Sequence, residues 1–591
     1  MWSRGECDLQ DISVVFGSDK SRFYEFSKRA VFDKNVGSFV KMVMTRCIHC
    51  TRCVRFLNEI CESYDLGMLE RGAGSEISTF IFKILSHEMS ANIIDLCPVG
   101  ALTSKPYAFS SRPWELNSLE SIDILDSMCS SIRLDYLNNK LMRILPIYNK
   151  NINEDWITNK IRFIYDSNLY QRIHYPVVKV DNVFVNISWI NAFNLFFFNL
   201  LKFSEKFVNV VVGGLSDYES IFNIKQFFNL LGNNIFFESN IKNFDSDFLS
   251  DIYTLLNLDD IKILLIISLN LRLEMPILNS KLLRKKDKIS FYSLGNIGYF
   301  YSNSFKFLGN SVMDVVNFIY GKTLINKEIF NIFSFDLNIF NTRLIKPIGL
   351  QILIGQSFYF IKNSFMLFNR IKSYVVNTNK MSSCNNLFSN VGILNYLNIN
   401  YLKKFTFNYS CSSLYFLNNV DNFNFLKFLN KKKDNFLVYR GSFFDEGAKC
   451  SDLVFPCSTF FEESLNYKNF SGLNLFTKQV ISTPFYNNKE FFFLLNNLKW
   501  KFFKLNLFGI INFKVLFKYF KFLHLDFCCK NFILNSSILK LNYKNNKILI
   551  ENKIFNSVII NYYKSDVYSR NSKNISLASL EYLKTIITYI K

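Results

Sequence analysis

The segment MTRCIHCTRCVRF at residues 44–56 contains three cysteines, Cys47, Cys50 and Cys53, with two residues between neighbours. A fourth, Cys97, follows much later in the chain and stands directly before a proline. Three closely spaced cysteines and one remote cysteine before proline are typical of polypeptides that hold an iron–sulfur cluster. The short spacers let one loop wrap three corners of a cubane while Cys97 supplies the fourth. The pattern therefore predicts one complete [4Fe-4S] site.

The alternatives for these cysteines are a structural zinc ion or a set of unconnected buried thiols. Structural zinc favours two separated Cys-x2-Cys pairs or mixtures of cysteine and histidine. His49 lies inside the triplet, and we expect it to point away from the metal. Arg46, Arg52 and Arg55 flank the loop, where they either favour the reduced, more negative cluster or pair with a partner subunit.

The residues after the triplet predict a helix that is separate from metal binding. Val54, Leu57, Cys61 and Tyr64 recur at helical spacing. Cys61 is therefore expected to be a core residue and not a fifth ligand.

Several strings in the first part of the chain resemble the 75 kDa iron–sulfur subunit of respiratory complex I and its bacterial counterpart. They are the cysteine triplet segment, NIIDLCPVGALTSKPYAF at 92–109, RPWEL at 112–116, GECDLQD at 5–11 and NINEDWITNKIRFIYD at 151–166. The resemblance implies an electron carrier of the peripheral arm, on the matrix side of the mitochondrial inner membrane. It also implies that flavin and NADH are bound by a partner subunit.

The start of the sequence departs from this family. Members normally begin with a [2Fe-2S] domain and a second [4Fe-4S] site with the ligand pattern His-x3-Cys-x2-Cys-x5-Cys, of which only Cys7 is matched here. The resemblance implies that Cys7 completes a cluster shared with a separate ferredoxin-like chain. A start recorded too late and a lost cluster remain as alternatives.

Beyond about residue 117 the sequence predicts alternating strands and helices. Strands are expected at Val208–Val212, Ile235–Phe237, Ile261–Ser268 and Ile289–Leu294, with helices at Ser216–Leu231 and Pro276–Lys286. Strand, helix and strand in succession indicate a parallel α/β sheet. This part resembles the molybdopterin-oxidoreductase-type domain of the same family.

The second domain is expected to have lost its cofactor chemistry. The chain contains only 21 glycines, and the pair Gly213 and Gly214 is too short for a phosphate-binding fingerprint. Cys129 stands alone, so this chain cannot build a second four-cysteine cage there. We expect no molybdopterin and interpret the domain as a structural platform.

Composition limits the remaining possibilities. The formal net charge is +21, but the lysines are spread through Phe- and Asn-rich sequence. They form no nucleic-acid-binding motif, so no nucleic-acid partner is expected. Abundant Phe, Asn, Ile and Lys fit A/T-rich codons of an organelle genome. Apolar runs are interrupted by Asn and Lys, which favours a protein peripheral to the membrane. The 13 cysteines indicate a reducing compartment.

The sequence thus predicts an α/β chain with three parts: an iron–sulfur domain at 1–116, a molybdopterin-oxidoreductase-like domain at 117–500 and a divergent region at 501–591. The resemblance implies electron transfer within complex I, from NADH toward ubiquinone, with other peripheral-arm subunits as partners. An independent molybdopterin oxidoreductase of the formate dehydrogenase type and a structural scaffold with a decayed cluster are the alternatives.

Overall fold

The structure is a computed structural model. It describes residues 6–17, 31–79, 83–203, 208–229, 235–237, 261–295, 305–320, 349–361, 364–378, 383–387, 391–399, 413–421, 435–483, 488, 490–495, 554, 559 and 561–590.

The strands of these residues fall into short antiparallel pairs near the start and longer parallel sheets later. In chain order they are β1 Val40–Met42, β2 Leu66–Leu69, β3 Glu76–Thr79, β4 Leu102–Ser104, β5 Asn117–Ile122, β6 Ser131–Leu137, β7 Lys140–Pro146, β8 Val177–Val180, β9 Val183–Asn186, β10 Val208–Val212, β11 Ile235–Phe237, β12 Ile261–Ile267, β13 Ser290–Leu294, β14 Phe305–Gly309, β15 Gly349–Gly355, β16 Ser383–Leu387, β17 Leu414–Asn418, β18 Phe436–Gly441, β19 Leu453–Pro456, β20 Asn466–Lys468 and β21 Asn474–Phe476.

The α-helices of the same residues range from single turns around the cysteines to longer helices that cover the sheets. In chain order they are α1 Asp8–Phe16, α2 Arg52–Arg55, α3 Ile93–Leu96, α4 Asn159–Phe163, α5 Trp189–Phe203, α6 Tyr218–Asn229, α7 Leu271–Glu274, α8 Pro276–Leu283, α9 Val312–Ile319, α10 Ser364–Thr378, α11 Val391–Ile399, α12 Glu446–Cys450, α13 Val567–Asn571 and α14 Lys573–Ile590.

The first part of the chain is built from antiparallel strands. The pairs β1–β4 and β2–β3 precede a three-stranded sheet in the order β5-β6-β7. The β6–β7 hairpin turns at Asn138 and Asn139, with φ values of 47° and 63°. Two consecutive left-handed residues are typical of a type I′ turn, for which asparagine is well suited. Residues 117–146 are thus an antiparallel meander and not the strand–helix alternation expected from residue 117 onward.

The later part of the chain forms two mainly parallel sheets. One has the order β11-β10-β17-β18-β19-β8-β9 and is antiparallel only where β19 meets β8 and β8 meets β9. The other has the order β14-β13-β12-β15-β16 and is parallel throughout. Their central strands are buried on both faces; β12 and β17 are examples. The predicted α/β class with parallel units is confirmed.

The predicted elements of these sheets agree with the structure except at their ends. The strands over Val208–Val212 and Ile235–Phe237 match β10 and β11. Helix α6 begins two residues later than predicted, because Asp217 accepts a hydrogen bond from the N–H of Ser220 at 3.0 Å and acts as its cap.

Residues 561–590 pack against the cysteine-bearing part of the chain. The ring of Tyr563 lies 5.6 Å from that of Phe39, and the amide of Asn159 donates to the Tyr563 hydroxyl at 3.4 Å. Asp166 accepts hydrogen bonds from the N–H groups of Lys573 and Asn574 at the start of α14. A carboxylate far away in sequence thus caps the last described helix.

A membrane-spanning helix would need a long apolar stretch. Among the described helices, none combines the necessary length and hydropathy.

Candidate metal centre

The β1–β4 ladder brings the two cysteine segments together. Met42 pairs with Leu102, and the N–H of Val43 extends the contact by donating to the carbonyl of Ala101 at 2.7 Å. In an antiparallel pair, the chain leaving one strand lies beside the chain entering the other. The triplet leaves β1 and Cys97 enters β4, so the ladder places the remote cysteine beside the loop.

All four predicted ligands line one cavity: Cys47, Cys50, Cys53 and Cys97. Cys53 is buried and the other three are half-buried, so the cavity lies close to the surface. Its remaining walls are mostly apolar, formed by Met44, Ile48, Ile77, Leu96, Val99, Ala101 and Leu102, with Arg52 as the charged residue among the described lining. Sulfur donors inside an apolar wall suit an iron–sulfur cluster, whose potential depends on burial and nearby charge.

The triplet loop takes a backbone path that points its cysteines inward. His49 and Thr51, the residues on either side of Cys50, have φ values of 54° and 58°. Left-handed residues reverse the chain locally, which lets successive cysteines face one centre. The N–H of His49 donates to the sulfur of Cys47 at 3.4 Å, and His49 is not among the residues that line the cavity.

The thiols of the site influence one another electrostatically. Burial raises the pKa of the Cys53 thiol to about 12, and the neighbouring Cys97, Cys47 and Cys50 add to this shift. Iron binds thiolates, so metal binding here must displace protons from the site. No group of three or more His, Cys, Asp or Glu side chains in the described residues converges as a single metal ion requires. Each cysteine of a cubane binds a different iron, so the four sulfurs of the cavity do not need to meet at one ion.

Cys7 lies outside the cavity but beside the loop that carries Cys97. Its sulfur accepts a hydrogen bond from the N–H of Gln10 at 3.4 Å and caps α1. The N–H of Leu9 donates to the carbonyl of Pro98 at 3.1 Å, and a Cβ on Gly100 would lie 2.9 Å from that of Cys7. This contact was not anticipated from sequence, because it depends on a long-range packing of α1.

Cys61 is buried, at 3% exposure, as predicted. Burial raises the pKa of its thiol, which keeps it protonated. The helix that carries it is shorter than expected: α2 continues as one wider turn over Phe56–Ile60 and then stops, with Glu62 at a φ of 51°. Tyr64 is 80% exposed, so its predicted place on the core face is wrong.

The other cysteines and histidines in the described part of the chain do not line the cavity. Cys129 and Cys457 are buried and Cys450 is half-buried. His87 is a core residue whose Nδ1 accepts from the N–H of Met89 at 3.1 Å, and His174 is exposed. Cys411, Cys528, Cys529 and the side chain of Cys384 lie outside the described residues.

Other residues of the chain fill the space beside Gly213 and Gly214, the glycine pair after β10. The N–H of Gly213 donates to the carbonyl of Asn418 at 2.8 Å, and a Cβ at Gly213 would collide with the carbonyl oxygen of Asn419. The N–H of Gly392 donates to the carbonyl of Gly214 at 2.9 Å. A phosphate cradle needs free N–H groups and open space above them. This turn does not offer that combination, so its residues do not fit a cofactor phosphate.

Known protein families match consecutive parts of the chain. The ferredoxin-like domain of NADH-quinone oxidoreductase subunit 3 matches residues 37–103, which include the four cysteines of the cavity. The NADH-ubiquinone oxidoreductase NDSU1/NuoG-like 4Fe-4S domain matches residues 116–166, and molybdopterin oxidoreductase matches residues 172–498.

The NADH-ubiquinone oxidoreductase 75 kDa subunit of Acanthamoeba castellanii is 38% identical over 602 residues, covering 97% of this chain and 82% of that protein. The chain belongs to the family of this 75 kDa subunit. The protein of the same name from Reclinomonas americana is 34% identical, with coverage of 98% and 84%. The mitochondrial NADH dehydrogenase (ubiquinone) iron–sulfur protein 1 of Solanum tuberosum is 34% identical, with coverage of 81% and 64%.

Membership of the 75 kDa subunit family confirms the resemblance on which the sequence analysis relied. It also confirms the order of domains, with iron–sulfur domains before a molybdopterin-oxidoreductase fold. The 116–166 match carries the name of a 4Fe-4S domain, yet Cys129 is its single cysteine in this sequence.

Proposed function

We propose that Cys47, Cys50, Cys53 and Cys97 ligate one [4Fe-4S] cluster, through which this chain relays single electrons. The observation that carries the proposal is the convergence of these four sulfur-bearing side chains on one cavity. When bound, the cluster supplies a one-electron couple. The chain's own residues hold it, exclude water with the apolar wall and keep it close to the surface, where a partner subunit can exchange electrons.

The chain is an electron-transfer subunit of NADH-ubiquinone oxidoreductase, as its family membership indicates. Other subunits of that complex are its partners. The finer assignments belong to the proposal: a flavin- and NADH-binding subunit as electron donor, a position in the peripheral arm on the matrix side of the mitochondrial inner membrane, and no substrate bond made or broken on this chain.

The ligand assignment is tested with the full chain reconstituted with iron and sulfide under anaerobic conditions. Wild type should bind about four irons and show a [4Fe-4S] signal in the reduced-state EPR spectrum. Cys50→Ala and Cys97→Ala should lose this signal, since a cage without one ligand no longer holds the cluster. Cys61→Ala is the matched control, a buried cysteine beside the site whose loss should leave iron content unchanged. Equal loss in all three variants would show that the ligands are assigned wrongly.

We further propose that Cys7 contributes to a second [4Fe-4S] cluster shared with a ferredoxin-like partner. Its support is the packing of Cys7 against the Cys97 loop, which would bring two clusters close together. Purification of the native complex tests this: a Cys7→Ala subunit should assemble with one cluster signal fewer. An unchanged set of EPR signals would contradict it.

The molybdopterin-oxidoreductase-like domain is proposed to be a scaffold without pterin. The occupied turn at Gly213 supports this. Metal analysis of the purified complex should find iron and sulfide but no molybdenum bound to this subunit, and stoichiometric molybdenum would revive an independent oxidoreductase.

A further inference from the structure

Cys97, the fourth ligand of the proposed cluster, follows a helix that is too short to be stable by itself. Cys97 follows α3, which has only the four residues Ile93–Leu96, and no side chain caps its first turn. A single helical turn is unstable in isolation, because nucleation costs more than its few hydrogen bonds return. The orientation of Cys97 must therefore be fixed by contacts from elsewhere in the chain.

Side-chain hydrogen bonds to α3 and its first flanking residue come from α4, in the neighbouring 116–166 segment. The guanidinium of Arg162 donates to both carboxylate oxygens of Asp95, from Nη1 at 3.0 Å and from Nη2 at 2.5 Å. Nη2 also donates to the side-chain oxygen of Asn92 at 3.0 Å. The buried side chain of Arg162 thus binds Asn92, directly before α3, and Asp95, two residues before the proposed ligand Cys97.

Residues around the start of α4 also hold the segment that leads into α3. Asn92 and Ile157 exchange two hydrogen bonds, of 2.8 Å and 3.2 Å. The side-chain oxygen of Asn159 accepts from the N–H of Ala91 at 2.9 Å, and its own N–H donates to the carbonyl of Glu88 at 2.8 Å. Most of these groups are buried, so each bond that is lost leaves a costly unpaired atom.

We propose that Arg162 is a positioning residue for the cluster, which holds Cys97 in place through Asp95 and Asn92. This inference rests on the proposed function, because it requires Cys97 to be a ligand. It assigns a role to the 116–166 segment, which keeps the name of a 4Fe-4S domain although it holds a single cysteine. In this chain the segment would serve the cluster of its neighbour by orienting one ligand.

The planar fork of arginine is essential to this role. Its side chain is 5% exposed and that of Asp95 is 29% exposed, so the pair lies at the edge of the protein interior. Lysine keeps the charge but offers one ammonium, which cannot reach Asp95 and Asn92 in the same fixed geometry. Arg162→Lys therefore removes the positioning while it preserves the net charge.

The test compares Arg162→Lys with Arg172→Lys in the reconstituted full chain. Arg172 is as buried as Arg162, at 4% exposure, and pairs with Glu462, at 5% exposure, but lies in the parallel-sheet part of the chain. Both variants should lower the thermal unfolding midpoint. Only Arg162→Lys should release iron to a chelator faster, by about tenfold, and shift the g-values of the reduced cluster.

Wild-type release rates and g-values in Arg162→Lys would overturn the inference, and so would an equal acceleration in Arg172→Lys. If Arg162→Lys does not fold, Asp95→Asn removes the same contact from its more exposed side and should give the same two signatures. A wild-type chain that binds no cluster would overturn the proposed function instead. A loaded wild type with an insensitive Arg162→Lys would overturn only the role of Arg162.

Discussion

The cysteine-bearing region and the parallel-sheet region use short turns in opposite ways. The loop between Cys47 and Cys53 bends so that its side chains face an open cavity. The turn at Gly213 packs its backbone against the end of β17 and the residue that follows. The Gly213 N–H is therefore hydrogen-bonded within the chain, and no open space remains beside it. The first turn thus leaves a cavity in front of its cysteines, whereas the space beside the second is filled by the chain itself.

The largest effect is expected from a side chain placed at Gly213. Gly213→Ala should lower the free energy of unfolding of the parallel-sheet region by about 3 kcal/mol, because the added methyl meets the backbone carbonyl of Asn419, which cannot move freely. Urea unfolding followed by circular dichroism measures the loss. Gly67→Ala is the control, since no atom lies within 4 Å of its Cβ position. Equal stability of the two variants would mean that the turn has open space after all.

Both regions bury carboxyl groups, Asp123 in the first part of the chain and Glu274 in the parallel-sheet region. Burial raises the pKa of Glu274 to about 8, and the N–H of Asn270 donates to its carboxylate at 3.1 Å. The folded chain therefore keeps a proton that the unfolded chain releases above its ordinary value of 4.5, so stability is lost as pH rises from about 5 to 8.

Glu274→Gln should remove roughly 2–3 kcal/mol of this decline in the free energy of unfolding, measured by urea titrations at pH 5 and pH 8. Glu446→Gln, at an exposed ion pair with Lys449, should retain the wild-type slope. A slope as steep in Glu274→Gln as in wild type would assign the titration to other groups.

The smallest expected effect concerns Asp166, which caps α14 from a distant part of the chain. Asp166→Ala should destabilise α14 by about 1–2 kcal/mol, because three donors at Ser572, Lys573 and Asn574 lose their acceptor. Amide hydrogen exchange should speed up at the start of α14 and leave β12 unchanged. Asp155→Ala, at an exposed carboxylate, is the control. Faster exchange throughout the chain would show that the cap acts globally.

Much of the fold could be predicted because its signals are local. The apolar strands β10 and β12 stand between clear turn residues, and the cysteine spacing directly reflects ligand geometry. The meander over 117–146 also has a local signal, the Asn138–Asn139 pair of its type I′ turn. The exposure of Tyr64 was missed because helical spacing does not reveal where a helix stops.

Contacts between distant segments could not be predicted in this way. The fork of Arg162 on Asp95 and the approach of Cys7 to the Cys97 loop depend on the packing of separate units. No short pattern around either residue signals such a contact. The cysteines could be named as candidates from sequence, whereas the residues that hold them in place became visible only in three dimensions.

The capping of α14 by Asp166 has a consequence for biosynthesis. Asp166 and the helix it caps are 407 residues apart. While the ribosome synthesises the intervening chain, the surface around Phe39 and Asn159 that Tyr563 later covers stays open to water. The part of the subunit made first is therefore completed last, and a nascent chain would need protection or a temporary cover for that apolar surface.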